Sequence, residues 1–225
     1  MSNRLDPGDS PRPLVVPVRL CRNGDPLHRA LRGYKDAPAV AARNHFTATV
    51  GSLLADFVGL HAPCIERTSG SSWDSVAVVP SSVRPDGSRL VRGLCRAHSP
   101  LEAVVRTVIA GAESEPIILE RGDGVTRHLA PHPHAYTVVG DVRGRRVLLV
   151  DDVWVTGARI RSAAATLERG GASVAAMLVV GRIVDTGAAP GNARWWSWAE
   201  SKASPGRDAA LVPCCLSQCT LATTR

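Results

Sequence analysis

Val147-Leu148-Leu149-Val150-Asp151-Asp152-Val153-Trp154-Val155-Thr156-Gly157-Ala158-Arg159 is the stretch on which the fold turns. Four apolar residues without a polar interruption read as a strand buried on both faces, which is how strands of a parallel sheet look in sequence. Two adjacent carboxylates end the run. A short turn with a threonine and a glycine follows, and Ile160, Ala163, Ala164 and Leu167 then recur at helical spacing until Gly170-Gly171 stops the helix. Val174 to Val180 is the next apolar run, so residues 147–180 spell strand, helix, strand. In open α/β sheets ligands bind beyond the carboxyl ends of the strands. Loop amides and the start of a helix make an anion site there. Carboxylates beside it accept hydrogen bonds from a vicinal diol. The pattern therefore predicts a ligand with a sugar diol a few ångströms from a phosphate, a ribose 5-phosphate, met by an acid pair at a solvent-facing strand end. Gly157 is expected to turn its amides inward around the phosphate, so that valine there costs phosphate binding and leaves stability alone.

Outward from this segment the same alternation continues. Val76-Ala77-Val78-Val79, Pro116-Ile117-Ile118-Leu119 and Tyr136–Val139 are short apolar runs. Ser99-Pro100-Leu101-Glu102 is a capping box that opens a helix to about Ala110. Residues 121–135 are rich in Gly, Pro and His and read as a loop. Asp25-Pro26 starts a short helix over Leu27–Tyr34, and a longer helix is expected from about Pro38 to Leu60, with Val50, Leu53, Leu54, Phe57 and Val58 on one face. Residues 1–25 read as an irregular lead-in. The expected fold is α/β, a parallel sheet of about five strands with helices on both faces. The expected division is a helical or hood segment over 1–70, a core over 71–185, and a Trp- and Cys-rich cap over 186–225.

The chain has 225 residues, 44% apolar and 21% charged, enough for one domain with a small appendage and ordinary for a folded chain. The N-terminus carries no apolar signal core and no apolar run has the length of a membrane span, so a cytoplasmic location and no membrane partner are expected. Six cysteines are too sparse for a disulfide scaffold. The net charge is +7, and of the 27 positive residues only Lys35 and Lys202 are lysines. Arginine suits phosphate, although genome base composition is the favoured account of such a bias. The arginines are dispersed, which disfavours nucleic acid as a partner.

The quoted stretch resembles the signature of type I phosphoribosyltransferases, and among them a ComF-related branch that reads Val-Leu-Leu-Val-Asp-Asp-Val-x-x-Thr-Gly-Ala. The resemblance is carried by residues 136–185 and extends less closely over 76–135. It implies a fold of that family with a hood from the terminal segments, and 5-phosphoribosyl 1-diphosphate (PRPP) as ligand. Asp151 and Asp152, the catalytic pair by this resemblance, would hold the ribose hydroxyls. Val155, Thr156, Gly157, Ala158 and Arg159 would hold the 5-phosphate. Mg2+ would bind the diphosphate and ribose oxygens. The loop after Val79-Pro80 would take the diphosphate through Ser81, Ser82 and Arg84. The 121–135 loop matches a lid position, with Arg121 and Arg127 in reach of diphosphate, and Arg182 and Asp185 lie near where such enzymes seat the acceptor.

Several positions depart from the family pattern. Arg159 stands where Thr or Ser is usual. Val155 stands where purine-salvage relatives carry an Asp, and valine does no acid–base work, so hypoxanthine or guanine salvage is disfavoured. Ser2 excludes the N-terminal cysteine nucleophile of the glutamine-dependent branch. Only Cys21 lies where ComF relatives carry a cysteine pair. His128, His132 and His134, and separately Cys214, Cys215 and Cys219, have spacings that admit a metal. Zinc at the cysteines would need a fourth ligand from Cys21, Cys64, Cys95 or a histidine, and buried thiols are the favoured alternative. The resemblance implies transfer of phosphoribosyl from PRPP to a nitrogen acceptor with release of diphosphate, helped by positioning and by charge stabilisation from Mg2+ and arginines. The alternatives are a non-catalytic PRPP or nucleotide sensor, and a ComF-like accessory protein of DNA uptake or repair. A homodimer stands as one option for the assembly.

Overall fold

The computed structural model describes residues 13–80, 101, 105, 117–122, 131, 132, 134–187, 193, 194, 196 and 197. Strand β1 is Leu14–Cys21, helix α1 Pro26–Asp36, helix α2 Val40–Ser69 and strand β2 Ser75–Val78. Strand β3 is Ile118–Arg121, β4 Tyr136–Val139, β5 Arg146–Trp154, helix α3 Ala158–Arg169 and strand β6 Ser173–Ile183.

The main sheet has the order β1-β6-β5-β2 and every pairing in it is parallel. Val147, Leu148, Leu149 and Val150 in β5 have no exposed surface, the consequence of strands and helices on all sides. Ile117 adds a single parallel bridge to Ala77 at the β2 edge. From there the chain enters the antiparallel pair β3-β4. The sheet separates two apolar cores. Leu148, Val150, Leu178 and Val180 meet α1 and α2 on one face through Leu31, Tyr34, Val50, Leu54 and Ile65. On the other face Val147, Leu149, Met177 and Val179 meet α3 and the β3-β4 pair through Ile160, Ala163, Leu167, Leu119 and Tyr136. The expected fold class, a parallel sheet covered by helices on both faces, is what the chain adopts.

Three expectations are corrected. Part of the lead-in over 1–25 is a strand, since β1 pairs with β6 along the register Leu14↔Ala176 to Cys21↔Ile183. Pro17 hides this strand in the sequence, but an edge strand tolerates proline because one row of its N–H groups faces away from the ladder. The N-terminal segment thus shares the sheet with the core. The long helix does not end near Leu60. It runs through Pro63 to Ser69, because His61, Cys64 and Ile65 extend the buried stripe of Val50, Leu54, Phe57 and Val58. Gly70 at φ 70° closes it. Thirdly, α2 has the length and composition of a membrane span, with a mean hydropathy of 1.4 over 18 residues. Val50, Leu54, Phe57, Val58, Cys64 and Ile65 of this helix pack in the core on the sheet, whereas Val40 and Leu60 are exposed. Of the helix expected over Ser99–Ala110, Leu101 and Val105 are described, helical and buried in the α1-α2 core.

Candidate functional site

The acid pair lies inside the sheet. β5 continues past it to Trp154, which pairs with Arg182 of β6, and Asp151 pairs with Val179. Asp151 and Asp152 are 2% and 3% exposed. The expectation of a solvent-facing strand end is therefore corrected: two further strand residues and the helix on each face enclose the carboxyls. Asp151 Oδ1 accepts the Asp152 backbone N–H at 2.9 Å. Asp152 Oδ2 accepts the Tyr34 hydroxyl at 2.8 Å and is ion-paired with Lys35. Both partners come from the last turn of α1. Leu27, Ala30, Leu31 and Tyr34 form its buried face, and docking that face on the sheet carries the Tyr34 hydroxyl and the Lys35 ammonium to Asp152.

The two carboxyls, joined by a hydrogen bond, titrate in opposite directions. Burial raises Asp151, and the neighbouring Asp152 charge raises it further. Burial would raise Asp152 as well, but the Lys35 ammonium overcomes it and holds this carboxyl low. Asp151 is thus the proton holder and Asp152 the anion. Tyr34 is raised by burial and then by the Asp152 charge, so it stays a donor. A carboxyl whose folded pKa is raised contributes stability that is fully present below its unfolded value of 3.8 and is lost as pH climbs to the raised value. Asp151→Asn mimics the protonated form. Thermal melts across pH should show the variant matching the wild type in acid and exceeding it at alkaline pH; a constant difference at every pH would contradict the assignment.

After Trp154 the chain turns sharply. Val155 is 65% exposed and Thr156 is exposed. Gly157 sits at φ 76°, ψ 3° and is the N-cap of α3, and as a glycine it offers the helix amides no side-chain cap. The Ala158 N–H donates to Thr156 Oγ1 at 3.4 Å. This is the geometry expected of a loop that offers amides to a phosphate. The glycine has a second reason. A Cβ on Gly157 would stand 2.4 Å from the Trp154 ring, which packs under the turn in the α3 core. The expectation that a larger residue spares stability is corrected. Gly157→Ala should destabilise the ligand-free protein by about 2 kcal/mol, from a left-handed backbone and a ring clash together. Unfolding in denaturant measures it, and an unchanged midpoint would contradict it.

Arg159, in the first turn of α3, does not turn toward the loop. Its Nη2 donates to the Pro80 carbonyl at 2.5 Å. Its guanidinium also hydrogen-bonds Tyr136 and lies in the field of Asp151 and Asp152. Burial works against the charge, but these anionic and hydroxyl neighbours raise its pKa. Arg159 thus ties the end of β2, the start of β4 and the acid pair to one helix turn. Arg121 of β3 is exposed, is paired in register with Tyr136 and acts on it electrostatically. Ser81, Ser82, Arg84, Arg127, His128 and the cysteines Cys214, Cys215 and Cys219 lie outside the described residues. The His132 N–H donates to Ser162 Oγ at 2.8 Å, and His134 Nδ1 lies 3.3 Å from Arg169, so this stretch is fastened to α3. Asp185 accepts the Gly187 N–H at 2.9 Å in a local turn. The sequence reading missed Tyr34, Lys35 and Tyr136. One signal was available: the chain has two tyrosines, and each touches this network from a different face.

No family model matches the chain, and no curated protein matches it. Among solved structures it is similar to adenine phosphoribosyltransferase from Leishmania tarentolae, with a TM-score of 0.36 and 14% identity over 72% of this chain and 90% of that chain.

The family resemblance implies Mg2+ on the diphosphate and ribose oxygens of the ligand, and the acid pair does not itself form a metal site held by the protein. Mg2+ demands octahedral oxygen ligands. Among the described residues no group of three His, Cys, Asp or Glu side chains comes together. The two carboxyls that do are buried and engaged by cations, Asp152 by Lys35 and Asp151 by the field of Arg159.

Proposed function

We propose that this chain binds PRPP and transfers its phosphoribosyl group to a nitrogen acceptor with release of diphosphate. The observation that carries the reading is the order of groups at the carboxyl end of β5. An acid pair, an exposed Val155-Thr156 turn, a left-handed Gly157 and the start of α3 follow one another on a parallel sheet. In this reading the amides of residues 156–159 take the 5-phosphate, and Asp151 and Asp152 take the ribose hydroxyls. Such a grip holds ribose C1 in place while a nitrogen nucleophile forms the new bond to C1 and the C1–O bond to diphosphate breaks, the electron pair leaving with diphosphate. Ser81, Ser82 and Arg84 are the proposed diphosphate contacts, and Arg121 and Arg127 the proposed lid contacts.

A specific observation favours a second reading, a PRPP-binding protein without turnover. Asp152 already accepts from Tyr34 and Lys35, so the ligand competes with two internal donors. Diphosphate release from PRPP over a panel of nucleobases, with Mg2+ and without it, separates the two. Release with any base supports transfer. PRPP binding with no release for every base supports sensing, and an absence of PRPP binding overturns both.

A further inference from the structure

We propose that this chain carries its own counter-cations for the acid pair, Lys35 from α1 and Arg159 from α3, so that a phosphorylated ribose binds there without a divalent metal ion. The inference rests on the PRPP reading above.

Charge makes the first argument. Lys35 reaches Asp152 from the α1 face of the sheet, and Arg159, in the first turn of α3 with its Nη2 anchored on the Pro80 carbonyl at 2.5 Å, lies in the field of Asp151. With both carboxyls ionised, two positive charges stand against two negative ones. With a proton on Asp151 the group has one positive charge in surplus. In neither state does the site call for a cation, and in the second it attracts an anion.

Chemistry makes the second. A hydrated divalent ion would have to displace Lys35 or sit against it, and like charges in a buried setting repel strongly. The lysine matters for its shape. In a chain whose other positive residues are all arginine except Lys202, position 35 carries a compact ammonium with three rotatable donors. One donor serves Asp152. The side chain remains 23% exposed, so the others stay within reach of a ligand oxygen. Tyr34 holds Asp152 from a second direction, which keeps the carboxylate in place if the ammonium swings toward the ligand.

Calorimetric titration of the full chain with PRPP, once in EDTA and once in Mg2+, tests this. The expected result is the same Kd within a few-fold in both buffers. In Lys35→Gln the affinity in EDTA should fall roughly tenfold or more, the size of one charged hydrogen bond. PRPP that binds the wild type only with Mg2+ overturns the inference and leaves the PRPP reading standing. PRPP that binds in neither buffer overturns the reading and the inference with it. Unchanged EDTA affinity in a folded Lys35→Gln, checked by its melt, overturns the role of Lys35. The wild-type comparison decides the metal question even if that variant does not fold.

Discussion

Lys35→Met is expected to cost the folded protein about 3 kcal/mol, the low end for breaking a buried ion pair from one side. Asp152 is buried on a central strand and its carboxylate has two side-chain donors, Lys35 and Tyr34. Methionine keeps the packing of the lysine stem but removes the charge, leaving an anion in a low-dielectric site with one neutral donor. For a chain of this size the loss should lower Tm by roughly 6–12 °C. Asp152→Asn in the same background removes the stranded charge and should recover part of the loss. The two substitutions would then be non-additive, as expected of residues in contact. Thermal melts of the four proteins in the cycle measure this, and strict additivity would show that the pair contributes nothing.

Val155→Glu is expected to weaken PRPP binding at least about 100-fold, because like charges brought together cost several kcal/mol. Val155 is 65% exposed, so its replacement removes no core contact and Tm should hold. That separation is what Gly157 cannot supply, since any side chain there strikes Trp154. It is also what Asp152 cannot supply, since it is internal and its removal strands Lys35. Equilibrium binding of PRPP to the variant, beside its melt, checks the prediction. Unimpaired binding would move the phosphate site elsewhere.

The strand-helix-strand unit from β5 to β6 was legible because each of its signals is local: an uninterrupted run of branched apolar residues, a helical repeat, and paired glycines to stop it. The acid pair and the glycine turn were legible for the same reason. β1 was not, because Pro17 and the Pro11-Arg12-Pro13 stretch before the strand disguise an element that exists through its pairing with β6. The continuation of α2 past Pro63 was not, because buried His61, Cys64 and Ile65 outweigh the lost hydrogen bond. Tyr34 and Lys35 escaped for a different reason. They sit 118 and 117 positions from Asp152, and only the docking of α1 on the sheet brings them there. The burial of the acid pair followed from the same docking, so a reading of the motif alone left it in solvent.

A crystal structure of the full chain grown with PRPP would test the central claim most directly. The account predicts the 5-phosphate within hydrogen-bonding distance of the amides of residues 156–159, the ribose hydroxyls on Asp151 and Asp152, and Lys35 still in the site. PRPP bound away from the β5–α3 turn, or the turn empty at saturating PRPP, would contradict it.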